Sequence, residues 1–153
     1  MKDIQTLIRE HRFFSGLNEA YLELVAGCAS NVHFEEGQYF FREGDAADHF
    51  YLVRSGRVAL ELAVPGRQPV TIETLQTGDV IGWSWLFPPY LWQMDARALE
   101  PVRATAFDGK CLRGKCEANH DLGYELAMRS ADILMQRLQA TRLQLLDVYG
   151  TNP

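Results

Sequence analysis

Side chains able to do chemistry gather in one stretch of this chain, Gly78 to Ala98, GDVIGWSWLFPPYLWQMDARA. It holds all three tryptophans, Trp83, Trp85 and Trp92, with Tyr90 and the Pro88-Pro89 pair. Flat indole faces suit stacking, and successive backbone N–H groups from Gly82 to Trp85 could cradle an anion at a helix start. Gly78-Asp79 signals a tight turn, and paired prolines cannot sit inside a helix or a central strand. The stretch therefore reads as a strand end, one helical turn at most, an irregular aromatic loop and a returning strand. On a small β-barrel, loops of this kind carry the site. Two other uses compete with ligand binding: the tryptophans as packing that closes the site, or the loop as an exposed protein-docking patch.

Other reactive residues form no recognisable catalytic set. Cys111 and Cys116 lie near His120, but neither a C-x-x-C spacing nor a second ligand pair accompanies them. The expectation is thiols rather than a metal site, and three cysteines, an odd number, fit reduced thiols in a cytoplasmic protein. Ser84 has no G-x-S-x-G setting, and no Ser/His/Asp or paired-carboxylate pattern stands out, so no enzyme is expected. The net charge of -5 argues against a nucleic-acid surface, which needs clustered Lys and Arg. Apolar runs are too short to span a bilayer, and the start MKDIQTLIRE, with Asp3 and Glu10 in it, is not a signal peptide.

At 153 residues the chain reads as one domain, 1–153. Residues 1–30 carry two helices: 2 to 12, from the spacing of Ile4, Leu7 and Ile8, and a second from the N-cap Asn18 to about Ser30. From 31 to 108 the texture is that of short strands divided by Gly turns, which predicts a small antiparallel barrel or jelly roll. Residues 109–153 read as a short helix, about Lys110 to Ala118, and a long one from near Asp121 to about Tyr149. In the long helix Tyr124, Ala131, Leu138 and Leu145 form one heptad row, and Ala127, Leu134, Thr141 and Val148 a second. Two such rows over four heptads are a coiled-coil seam and predict a parallel homodimer; the competing arrangement lays this helix on its own barrel. The fold expected is mainly β: a jelly roll with N-terminal helices and a long C-terminal helix.

Three pieces, in order, carry a family resemblance: Phe40-Phe41-Arg42-Glu43-Gly44-Asp45-Ala46-Ala47-Asp48, Phe50-Tyr51-Leu52-Val53-Arg54-Ser55-Gly56-Arg57-Val58, and Leu75, Gly78, Asp79, Ile81, Gly82. With the long helix after them, they resemble the cyclic-nucleotide-binding domain of catabolite-activator-type regulators. The resemblance implies a phosphate-binding cassette at Ile81, Gly82, Trp83, Ser84, Trp85, Trp92, Gln93, Arg97 and Ala98. In that family the glycine is followed by a glutamate for the ribose, where this chain has Trp83. An arginine later clasps the cyclic phosphate, where it has Trp92 or Gln93. Losing both contacts should cost several kcal/mol, at roughly 1.5–3 for each charge-assisted bond. Altered or lost cyclic-nucleotide binding is therefore expected.

In place of those contacts, Trp83, Trp85, Tyr90 and Trp92 offer faces for a nucleobase, and Arg97 or Arg103 could meet a phosphate. Arg137 and Arg142 read as solvated, or as lid contacts if they face the barrel, since the family closes its pocket with that helix. The family's transcription factors continue into a DNA-reading helix-turn-helix, which the sequence to Pro153 does not contain. The cassette and the closing helix also resemble small accessory subunits of bacterial redox enzymes such as NAD-reducing soluble hydrogenases. That similarity implies an adenine dinucleotide as ligand or a redox enzyme as partner. The expected function is a regulatory or accessory domain; the alternatives are a cyclic-nucleotide signalling module or truncated regulator, and a dinucleotide-binding redox subunit.

Overall fold

The computed structural model describes residues 3–150. Helix α1 (Ile4–Glu10) begins where Asp3 accepts the Thr6 N–H, and α2 (Glu19–Ala26) where Asn18 accepts the Tyr21 N–H. Each cap satisfies a donor that the first helical turn leaves open. Between them a 3-10 turn, Arg12–Phe14, buries Phe13 and Phe14. The first helix is thus shorter than the 2 to 12 expected, and Lys2 lies outside the described residues. The second stops before Ser30 because Ala29 and Ser30 already pair with Phe107 and Ala106.

Eight strands follow: β1 (Ala29–Phe34), β2 (Tyr39–Phe41), β3 (His49–Ser55), β4 (Val58–Leu62), β5 (Val70–Leu75), β6 (Val80–Ile81), β7 (Asp95–Ala98) and β8 (Val102–Asp108). They form two antiparallel sheets, ordered β1-β8-β3-β6 and β2-β7-β4-β5, the jelly-roll arrangement that the strand spacing predicts. At the β3–β4 hairpin Gly56 has φ 99°, and a Cβ there would strike the Pro101 carbonyl. Only glycine satisfies both conditions.

The pleat divides the interior into two cores. In β3, Tyr51 and Val53 point between the sheets, with Val58, Leu60, Ile81, Ala96 and Ala98. Phe50 and Leu52 point the other way, toward the helices, with Phe14, Leu22, Val25, Phe107 and Leu122. Burying each large side chain contributes roughly 1.5–3 kcal/mol, so the helices are firmly seated on the first sheet.

Helix α3 (Gly109–Ala118) starts where Asp108 accepts the Cys111 N–H. Asn119 caps the turn into α4 (His120–Gly150) by accepting the Leu122 N–H. Leu122, Leu126, Ser130, Ile133 and Arg137 face the body of the protein. The opposite face keeps Tyr124, Ala127, Ala131, Leu138, Thr141, Leu145 and Val148 exposed, with Leu134 half-buried. The helix therefore lies on its own barrel and still leaves the heptad rows uncovered. No helix among the described residues is long and apolar enough to cross a membrane.

One expectation fails. The cysteines are not all reduced thiols: Cys28 and Cys111 form a disulfide, and only Cys116 is free. The cause is sheet pairing. Ala29 pairs with Phe107, so the residue before β1 and the first turn after β8 meet, with Cα atoms 5.7 Å apart across 83 residues of sequence. The thiol argument for a reducing compartment falls with it.

His11 caps the 3-10 turn, its Nδ1 accepting the Phe13 N–H at 3.2 Å. Burial first, then the Arg12 guanidinium, push its pKa down to about 4. A folded-state pKa below the unfolded one means that the unfolded chain binds more protons between the two values. Stability is therefore full above about pH 6.5 and declines as the pH falls toward 4, by on the order of 2 kcal/mol for this partly solvated ring. In denaturant titrations at pH 7 and pH 4.5, His11→Gln should remove part of that decline.

Candidate functional site

The aromatic loop joins β6 to β7 and is tied down at several points. Trp92 donates its N–H to Asp45 O at 2.9 Å, and Ala47 donates to Tyr90 O at 2.7 Å. From α3, Arg113 hydrogen-bonds the Trp85 carbonyl and lays its guanidinium 4.2 Å from the centre of the Tyr90 ring. This places the loop between the β2–β3 turn and α3.

The three tryptophans go to three places. Trp85 turns away from the barrel and stacks on Phe50 in the helix-side core, with centroids 4.9 Å apart. Trp92 enters the barrel mouth and stacks on Phe41 at 3.6 Å, nearly parallel. Its ring lies over Gly82, which has φ 96°, and a Cβ at Gly82 would overlap it. Trp83 stands at the edge, under the Arg137 guanidinium at 4.8 Å. A cation over an indole contributes about 0.5–2 kcal/mol, depending on desolvation.

Gly82, Trp83, Ser84, Trp92 and Gln93 come together, with Phe41, Leu60 and Met94, around a cavity of about 20 Å³. By this measure one water needs roughly 10–15 Å³, so the space holds about one. Ile81 and Ala98 belong to the core between the sheets, and Trp85 to the other core, so none of the three lines this space.

Arg97 is also elsewhere. It projects from the outer face of the second sheet and makes two hydrogen bonds to Glu61, at 3.0 and 2.8 Å. Glu61 is 3% exposed, and its hydrogen bonds raise the Arg97 pKa further. Arg103 is exposed on β8, opposite His33. Among the described residues no Lys or Arg lines the small cavity.

A larger recess of about 360 Å³ lies along α4, beside the β5–β6 turn. Arg12, Arg129 and Arg137 line it, opposed by Glu73, Asp79 and Asp132. Arg137 donates to the Val80 carbonyl and lies 3.5 Å from Glu73, while its Nη1 is buried without an acceptor among the described residues. Burial lowers the Arg137 pKa, and Glu73 and Asp79 oppose that shift. Of the two candidate lid arginines, Arg137 reaches Trp83 of the aromatic loop and Arg142 is exposed. Sequence reasoning missed Arg113, Arg129 and Phe41. For Arg129 a signal existed: it is eight residues before Arg137, on the same side of the helix.

The cyclic nucleotide-binding domain model matches residues 31–119, from β1 to the end of α3. The chain belongs to the cyclic nucleotide-binding domain family. A crystal structure from Geobacter metallireducens, described as a cyclic nucleotide-binding protein, has a TM-score of 0.80 and 30% identity, covering 90% of this chain and 99% of that one. The catabolite activator protein of Thermus thermophilus gives a TM-score of 0.70 at 25% identity, over 90% of this chain and 62% of that one. A CRP-like cAMP-activated global transcriptional regulator of Mycobacterium tuberculosis is 24% identical over 139 residues. That match takes in 91% of this chain but only 60% of the regulator's length. The β6–β7 loop falls within the matched residues, and it carries Trp83, Trp85, Tyr90 and Trp92.

Proposed function

We propose that this domain is a non-enzymatic regulatory or accessory module that pairs through α4 and whose cassette is held shut by its own aromatic side chains. One observation carries the reading: the Trp92 ring, stacked on Phe41 and lying over Gly82, leaves about 20 Å³ where small-molecule sites need roughly 300 Å³ or more. Electrostatics support it. Arg97 is engaged by Glu61 on the far side of the sheet, and among the described residues no Lys or Arg lines the small cavity, so a cyclic phosphate there would have no cation in the cavity lining to replace its water. Pairing is supported by the uncovered heptad rows of α4, where Leu138 is 51% and Leu145 54% exposed. The net charge of -5 favours a protein partner over a nucleic acid.

Thermal unfolding with cyclic AMP, cyclic GMP and NADH tests the closed cassette, and sedimentation on the same samples tests the pairing. A ligand at a hundred times its dissociation constant adds about 2.7 kcal/mol. The midpoint should stay unmoved with either cyclic nucleotide, and the chain should sediment as a dimer. A shift with cyclic AMP or cyclic GMP overturns the closed cassette.

A second reading is favoured by the 360 Å³ recess with its three arginines: a dinucleotide held beside α4 rather than in the barrel. A shift with NADH that Arg137→Gln abolishes would establish it.

A further inference from the structure

Helix α3 is moored at three successive odd positions. Cys111 is bonded to Cys28, at the end of α2. Arg113 holds the aromatic loop through the Trp85 carbonyl and the Tyr90 ring. Lys115 donates to Leu24 O, on α2, at 2.6 Å. Asn119 then passes the chain directly into α4. Two of the three ties run to α2 and one to the loop, so the bond at Cys111 bears on both the cassette loop and the start of the long helix.

We infer that Cys28–Cys111 is a reversible thiol–disulfide site whose redox state is read out by α3 in the aromatic loop and in α4, with a dithiol reductant as its chemical partner. Both sulfurs sit against the helix-side core: Cys28 is 8% exposed and Cys111 is half-buried. A cysteine in such a place acts as a small apolar side chain when reduced. The core around it, Phe14, Leu22, Val25, Phe50, Phe107 and Leu112, is built of apolar side chains that two thiols can pack against as well. Both states can therefore keep the fold, as a switch requires. Cys111 is the less buried of the two residues, so its sulfur is the end assigned to attack.

The exchange balances. A thiolate of the reductant attacks the Cys111 sulfur, forming a mixed disulfide and releasing Cys28 as a thiolate that takes up a proton. The reductant's second thiol then displaces Cys111, which leaves as a thiol. Two electrons and two protons reach the protein, and the reductant becomes its own disulfide.

The proposal concerns regulation and does not depend on whether the cassette binds a nucleotide, which the following experiment does not read. The full chain is equilibrated in oxidised and reduced dithiothreitol, the number of alkylatable thiols is counted by mass, and amide chemical shifts are compared. One thiol, Cys116, is expected in the oxidised state and three in the reduced state. Amide shifts should extend beyond the bonded pair to Trp85–Tyr90 and to the first turns of α4, while the β4–β5 hairpin stays put. Arg113→Gln should silence the redox response of the loop and leave that of α4. The double variant Cys28→Ser/Cys111→Ser should show the reduced spectrum in both buffers. Three thiols under oxidising conditions would overturn the inference. So would shifts confined to the neighbours of the two sulfurs, or loss of a folded spectrum on reduction.

Discussion

Replacing Trp92 with alanine should lower stability by about 3–5 kcal/mol, the range for removing a large aromatic side chain from a packed interior. Trp92 is 5% exposed, and its stacking on Phe41 adds to its burial. For a domain of this length each kcal/mol moves the midpoint by roughly 2–4 °C, so a fall of about 10 °C is expected in calorimetry. The variant also separates two reasons for a silent cassette. It opens the space over Gly82 but adds no cation, since Arg97 stays with Glu61 on the outer face. Cyclic AMP should therefore leave the midpoint of Trp92→Ala unmoved. A shift in the variant alone would show that the ring by itself had been keeping the ligand out.

Breaking the Cys28–Cys111 bond should cost about 3 kcal/mol. Chain-entropy bookkeeping for a closure of 83 residues gives about 4.5 kcal/mol, and measured values commonly fall at 2–4. Urea titrations with and without reductant check this. Reduction should lower the midpoint and steepen the slope, because the unfolded chain loses a constraint and exposes more surface. Cys116→Ser should change neither midpoint nor slope response, since Cys116 takes no part in the bond. Equal midpoints in the two conditions would sink the expectation.

Most of the fold was legible because its signals are local. Gly44, Gly56 and Gly78 mark turns, the runs between them are short and apolar, and Asn18 announces a helix start. The placing of the aromatic stretch as a loop between two strands was legible for the same reason. Its contents were only partly so. Arg97 and Ala98 are neighbours on one strand and so cannot both face the pocket, and the alternation of Ala96, Arg97 and Ala98 already marks Arg97 as the outward residue. Trp85 was harder. Its turn into the other core depends on Phe50 and Phe107, distant in sequence, and no spacing near Trp85 reveals them. The cysteine pair was hidden in the same way: an odd count suggests thiols, and only the register of β1 against β8 brings Cys28 to Cys111.

The last stretch of α4 gives the molecule a mechanical property. Arg137 hydrogen-bonds the Val80 carbonyl of the barrel, and every residue from 141 to Gly150 is exposed. At 1.5 Å per residue, about 20 Å of rigid rod projects past that fulcrum. With the first half of the helix held by the buried Leu122 and Leu126, a bend of about 5° at Arg137 would sweep the tip by about 2 Å. Because Arg137 also lies over Trp83, a bend at this point would carry a change beside the aromatic loop to the far end of the helix.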